Sequence, residues 1–269
     1  MNNKHSFLVT KEYKRFVEFC DACRRYKYIG ICYGPPGFGK TVSARHYAKW
    51  DFLGPLLKYS SNDQLKTSNE VLNCHTIFYT APTIKASRMN SEISISGIQL
   101  NTLIDRAKEE QDLPVEEYEY TDGDHYTDLV IVDEIDRLKV QGLEQLRDFY
   151  DQNDIGLVLI GMPGIEKRLA RYPQLYSRIG FAHEFKKLST DEMNFILQYK
   201  GKELGLNINL ENFTDYEAVA TLTRITGGNF RLIQRIFTQI ERIMEINNLD
   251  TISKEVIETA RESLVIGSI

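Results

Sequence analysis

The stretch Tyr28-Ile29-Gly30-Ile31-Cys32-Tyr33-Gly34-Pro35-Pro36-Gly37-Phe38-Gly39-Lys40-Thr41 joins a short apolar, β-rich run to the pattern G-x-x-x-x-G-K-[ST]. A strand before the pattern and a helix after it are the context that a phosphate-binding P-loop requires. The glycines allow main-chain N–H groups to curl around an anionic phosphate at a helix N-terminus. Lys40 is then placed to reach the β- and γ-phosphates, and the Thr41 hydroxyl to ligate Mg2+. A mere Gly/Pro-rich turn is disfavoured by that context. The nucleotide-binding set is therefore Gly34, Pro35, Pro36, Gly37, Phe38, Gly39, Lys40 and Thr41 with the adjoining Val42, and the expected cofactors are ATP and Mg2+.

The other half of such a site is a carboxylate at the C-terminal end of a buried strand, where ligands bind in open α/β sheets. Leu129-Val130-Ile131-Val132 is an uninterrupted apolar run, as expected in the middle of a parallel sheet, and it ends in Asp133-Glu134. Asp133 fits the Mg2+-side carboxylate, and Glu134 is placed to orient or deprotonate the attacking water. Carboxylates after strands also cap helices, a job open to Asp136.

Working outward, the pattern predicts a helix over 10–26, a strand over 28–33, a helix from 41 to about 50 and an irregular excursion over 51–74. A strand follows at 75–80. A helix over 91–111 rests on Ile95, Ile98, Leu103, Ile104 and Ala107, and an acidic loop spans 116–124. A helix near 136–152 and a second apolar strand, Leu157-Val158-Leu159-Ile160, repeat the unit. This alternation implies a three-layer α/β domain with a central parallel sheet and right-handed crossovers. From Ser189 the pattern is helical only. Ser189 and Glu192 form a capping box for a helix to about 205, and further helices are predicted near 213–226, 229–247 and 253–265. The expected division is a P-loop α/β core with an N-terminal helix over 1–188 and a smaller all-helical lid domain over 189–269.

Lys plus Arg number 33 against 38 Asp plus Glu, a net charge of −5, so no global positive field draws this chain to nucleic acid. DNA binding would need a local patch. No apolar run approaches the roughly 18 residues of a membrane span, and the N-terminal stretch lacks the apolar core of a signal peptide; the expectation is a cytoplasmic protein without membrane contact. The four cysteines do not make a disulfide framework. Cys20 and Cys23 fall on one apolar helix face with Phe16 and Phe19, and no second pair follows at zinc-ribbon spacing.

Phosphoryl transfer also needs positive charge on the γ-phosphate, from the same chain or a neighbouring subunit. Arg178, in a short connection before the last core strand, and Arg231, opening a helix after Gly228-Asn229-Phe230, are the arginines that stand out; spacing alone leaves either free to be merely solvated.

Together GPPGFGKT, LVIVDEIDRL, GLVLIGMPGIEKRLARYPQLYSRIGFAHEF and GGNFR resemble the AAA+ ATPases of transposition, the TniB, TnsC and MuB group, and more loosely ExeA-type and origin-recognition ATPases. The resemblance covers about residues 10 to 245, and 156–185 is its more specific part. It implies Lys40 and Thr41 as Walker A, Asp133 and Glu134 as Walker B, Arg178 as an arginine finger acting in trans and Arg231 as sensor 2. Catalytic roles thus fall to Glu134, Lys40, Arg178 and Arg231. It also implies ATP-dependent homo-oligomers, rings or filaments, on double-stranded DNA without sequence preference, and a transposase as partner whose target selection and activity they regulate. The DNA contacts it implies come after the second strand, matched by Lys85 and Arg88, with Lys66 nearby. Gly161-Met162 departs from the family's polar sensor-1 position. A thioether cannot donate a hydrogen bond, so slow hydrolysis, or substitution by another polar group such as Asn153, is expected. The competing reading is a loader or remodeller of a protein complex, of helicase-loader or ExeA-like type, without DNA contact.

Overall fold

The computed structural model describes residues 7–58, 68–83, 86–115, 126–203, 213–249 and 251–264. Lys66, Lys85 and the acidic stretch 116–124 lie outside the described residues. The chain packs as two compact units. One comprises Tyr13–Gly34 and Lys40–Phe185; the other comprises Lys186–Ile269 with Met1–Glu12 and the P-loop turn Pro35–Gly39, insofar as these are described.

The first unit is built on strands β1 (Ile29–Tyr33), β2 (Thr76–Thr80), β3 (Leu129–Asp133), β4 (Gly156–Gly161) and β5 (Ile179–Glu184). They form one five-stranded sheet in the order β2-β3-β4-β1-β5, all pairs parallel. Every residue of β3 and β4 is buried, as two-sided coverage demands of internal strands. The edge strand β5 alternates half-buried and exposed residues. Register sets Ile77, Val130, Leu157 and Ile29 side by side, and this row belongs to a core shared with α4 (Met89–Glu109), α5 (Val140–Gln152), α6 (Ile165–Leu169) and α7 (Pro173–Tyr176). Gly30 and Gly156 face the other way, against Phe19 and Cys23 of α1 (Lys11–Tyr26). Helix α2 (Lys40–Tyr47) lies by β2, its Arg45 guanidinium 5.5 Å from the Phe78 ring centroid. Because the strands are parallel, Tyr33, Thr80, Asp133 and Gly161 all end at one edge of the sheet, and the segments that follow them start there.

Two elements differ from their sequence reading. Within 51–74, helix α3 (Trp50–Lys58) contains Pro55, and a 3-10 turn spans Asn69–Asn73. An internal proline costs about 3 kcal/mol or more. Leu53 and Leu57, one helical turn apart, are both buried, each contributing about 1.5–3 kcal/mol, and Trp50, Phe52 and Leu56 pack on the same core. Helix α4 forms where periodicity placed it and buries the expected Leu103, Ile104 and Ala107, but two of the expected positions face outward. Ile95 and Ile98 are exposed, and Met89, Ile93, Leu100, Leu103, Ile104 and Ala107 carry the packing.

The second unit packs α8 (Thr190–Glu203), α9 (Phe213–Thr226), α10 (Phe230–Asn247) and α11 (Lys254–Glu262) around a separate core. The Ser189–Glu192 capping box forms: Ser189 Oγ accepts the Glu192 N–H at 3.3 Å, and Glu192 Oε2 accepts the Ser189 N–H at 3.0 Å. Glu192 Oε1 also accepts the N–H of Lys11. Burial raises the Glu192 carboxyl, but the Ser189 N–H and hydroxyl, with smaller help from the Glu12 and Lys11 N–H groups, outweigh it and hold the carboxyl below the usual glutamate range. On α10, Ile233, Ile236, Phe237, Ile240 and Met244 are buried at three- and four-residue steps. No described helix is long and apolar enough to cross a membrane.

Candidate nucleotide site

Lys40 is the first residue of α2, and its Nζ donates to the Gly34 carbonyl at the other end of the P-loop. Gly34 has no room for a side chain, since a Cβ there would lie 2.5 Å from the Phe185 carbonyl oxygen. The next residue, Thr41, donates its hydroxyl to Asp133 Oδ2 at 2.6 Å. Asp133 Oδ1 accepts the Glu134 N–H at 2.8 Å. A hydroxyl and a carboxylate converging at the sheet edge are the hard oxygen donors that suit Mg2+, so the residues present fit that ion. Val42 is half exposed beside them.

Burial is the main influence on Asp133. It raises the carboxyl pKa above the ordinary range, and the nearby Glu134 charge adds to the rise. The Thr41 hydroxyl, the Glu134 N–H and the Lys40 ammonium pull the other way. Glu134 has left-handed backbone (φ 58°, ψ 38°), a conformation that costs a non-glycine residue energy and that concentrates at functional sites. Its Oε2 pairs with the Arg137 guanidinium.

Within the second unit, the P-loop turn packs on the start of α10. Asn229 caps α10 by accepting the Leu232 N–H at 3.2 Å, and its Nδ2 donates to the Pro36 carbonyl at 3.2 Å. Arg231 sends its main-chain N–H to the Gly37 carbonyl at 3.1 Å, while its side chain is exposed. Gly37 has φ +82°, and a Cβ would meet the Asn229 carboxamide at 2.4 Å. Only glycine accepts that combination.

Arg178 lies in the turn between α7 and β5, as read from sequence. Its guanidinium is engaged within its own chain: Nε donates to Asp151 Oδ1 at 2.6 Å and a terminal nitrogen to Asp151 Oδ2 at 2.9 Å. Asp151, on α5, also pairs with Arg147. Arg88 is exposed at the end of the 3-10 turn Ala86–Arg88, directly before α4.

Two sequence expectations are corrected here. Asp136 is no helix cap; its Oδ2 accepts the Met162 N–H at 2.7 Å and so ties the tip of β4 to the turn after β3. Asn153 closes the C-terminus of α5, just before β4 begins. That is the opposite edge of the sheet from Met162, too far along the strand to replace it. Arg137 and Asn229 are the polar residues that sequence reasoning missed. Asn229 sat inside the quoted GGNFR, and its cap position was the available signal; Arg137 had no distinguishing mark. The Cys20 and Cys23 thiols are buried, and burial pushes Cys23 up to about 12 and Cys20 likewise upward, which makes both poor nucleophiles.

Known proteins resemble this chain at three levels. A family model described as an AAA domain matches residues 23–169. A protein of Staphylococcus aureus named potential ATP-binding protein is 53% identical over 279 residues, covering 99% of both chains. The Mu-like prophage FluMu DNA transposition protein B of Haemophilus influenzae is 30% identical over 118 residues, 40% of this chain and 38% of that one. Among solved structures, the RuvB Holliday junction branch migration motor of Thermotoga maritima aligns with a TM-score of 0.59 at 17% identity, over 97% of this chain and 71% of that one. The Aeropyrum pernix ORC2 protein aligns with a TM-score of 0.61 at 16% identity, over 100% of this chain and 72% of that one. The structural likenesses carry the fold alone. The family match takes in more than half the sequence and contains the P-loop, Asp133 and Glu134, and on that ground the chain belongs to the AAA domain family of P-loop ATPases.

Proposed function

We propose that this chain is an ATP-dependent, DNA-binding AAA+ ATPase that oligomerises on double-stranded DNA and regulates the target selection and activity of a transposase. The observation that carries the transposition part is the 30% identity to a phage DNA transposition protein over 118 residues. The nucleotide part rests on Lys40, Thr41, Asp133 and Glu134 meeting at one sheet edge in the family's arrangement.

In this reading the main chain of Gly34–Thr41 and the Lys40 ammonium hold the ATP phosphates. Thr41 and Asp133 would hold Mg2+, which would supply positive charge to the phosphate oxygens. Glu134 takes a proton from a water whose oxygen bonds to the γ-phosphorus as the bond to the bridging oxygen breaks, leaving ADP and phosphate. Arg231, anchored at the P-loop by its main chain, takes the sensor-2 role, and Arg178 acts on a neighbouring subunit. Met162 offers no side-chain donor, so slow turnover is the expectation. DNA contacts are assigned to Arg88 and Lys85, with Lys66 as a further contributor, and bind phosphate without reading sequence.

The net charge of −5 favours the competing reading, a loader or remodeller of a protein complex. Particle size by light scattering, with ATP or a non-hydrolysable analogue and with or without random-sequence duplex DNA, separates the two. Growth that requires both nucleotide and DNA and weakens with salt is the expected result. Assembly with nucleotide alone, indifferent to DNA, would overturn the DNA-bound reading.

A further inference from the structure

We propose that Arg137 is the positioning residue for the Glu134 carboxylate, tying the catalytic base to the end of strand β2; this rests on the assignment of Glu134 as the base. Arg137 closes the 3-10 turn Ile135–Arg137, one turn beyond Glu134. Its guanidinium spans two strand ends. One terminal nitrogen pairs with Glu134 Oε2, and the other donates to the Ala81 carbonyl at 3.1 Å. Ala81, the residue after β2, in turn donates its N–H to the Asp133 carbonyl at 2.8 Å. The base, its holder and the ends of β2 and β3 thus form one closed circuit of polar contacts.

The geometry leaves Glu134 half engaged. Oε2, the oxygen beside Arg137, is buried, whereas the Glu134 side chain as a whole is 45% exposed. A carboxylate can accept at both oxygens. Pairing one with a guanidinium fixes the side-chain rotamer and leaves the other to accept a proton from water. The backbone of Glu134 is restrained in the same sense. Its left-handed conformation is held by its N–H to Asp133 on one side and by the Arg137 pair on the other. Such a conformation persists where surrounding contacts over-determine it.

Arginine suits this position better than lysine. Its planar fork presents donors in two fixed directions at once, and an ammonium is a single point of charge. A lysine at 137 would keep the pair with Glu134 or the bond to Ala81, and would hold both poorly. Arg137 is 40% exposed, so its ion pair contributes little to folding and can be removed without unfolding the protein.

Steady-state ATPase kinetics on Arg137→Gln, Arg137→Lys, Glu134→Gln and the Arg137→Gln/Glu134→Gln double variant test the assignment, with circular dichroism confirming the fold of each. Arg137→Gln is expected to lower kcat about tenfold or more, with the KM for ATP within about twofold of the parent, as for loss of an interaction used in the transition state. Arg137→Lys recovers part of the loss. The double variant is no slower than Glu134→Gln alone, because a residue acting through Glu134 adds nothing once Glu134 is gone. Normal kcat in Arg137→Gln, or losses that multiply in the double variant, would overturn the proposal. Normal turnover in Glu134→Gln would instead remove the assignment of Glu134 on which it rests.

Discussion

At the scale of the residue, Asp133 carries a testable consequence of burial. Only 3% of it is exposed, and its raised pKa means that the folded protein prefers the protonated form more than the unfolded chain does. Ionised Asp133 therefore costs stability at pH values above the folded pKa, and the cost vanishes below the unfolded value of about 3.9. Asp133→Asn is expected to melt at a higher temperature than the parent at neutral pH without nucleotide, with the gap closing as pH falls toward that value. The same substitution abolishes the stabilisation conferred by Mg-ATP, and in the parent that stabilisation weakens as acid protonates the carboxyl. Thermal melts across pH, with and without Mg-ATP, read both effects. An identical neutral-pH midpoint in the variant would refute the account of burial. Asp133 and Glu134 were legible in sequence because an acidic pair after a buried strand is a local pattern. Arg137 was not, because its meaning lies in the Ala81 carbonyl 56 positions away.

At the scale of the element, the start of α10 does two jobs through one side chain. Asn229 caps the helix and grips the Pro36 carbonyl, 193 positions earlier in the chain. Loss of an N-cap costs about 1 kcal/mol. Asn229→Ala should therefore lower unfolding stability by about that amount and raise the KM for ATP several-fold. Asn229→Asp keeps the capping oxygen and removes the amide donor, so its stability stays near the parent's and its KM rises. Denaturant unfolding and ATPase kinetics on the pair of variants check this, and a normal KM in Asn229→Asp would show that the Pro36 contact does not shape the P-loop. Helices α3 and α4 show what periodicity can miss. Residues 51–58 read as part of an irregular excursion, yet they form a helix around Pro55 that burial of Leu53 and Leu57 supports, and Ile95 and Ile98 are apolar at helical spacing yet face solvent. Spacing reports that an apolar face exists; neighbouring elements decide which face is covered.

At the scale of the whole molecule, Arg178 is the residue whose role depends on more than one copy. In the single chain its guanidinium is chelated by Asp151, so service to a neighbour requires that pair to open. An exposed ion pair of this kind is worth about 0–1 kcal/mol, which assembly can readily offset. Arg178→Ala is expected to reduce turnover about a hundredfold or more while leaving ATP affinity nearly intact. Mixing it with Glu134→Gln should restore activity, since the intact site of one subunit then meets the intact arginine of the other. Two inactive variants that stay inactive when mixed, under conditions where they co-assemble, would end the case for action in trans.

By itself the sequence determined the alternation of strand and helix, the P-loop, the paired carboxylates after β3 and the all-helical character beyond Ser189. These follow from short-range physics: side-chain periodicity, the steric freedom of glycine and the capping needs of helix ends. Tertiary structure alone decided the strand order β2-β3-β4-β1-β5, the exposure of Ile95 and Ile98 on α4, and the partners of Arg137, Asn229 and Arg178. Each of these depends on which distant segments are packed together, and a polar side chain bears no local mark of the carbonyl or carboxylate that folding will bring to it.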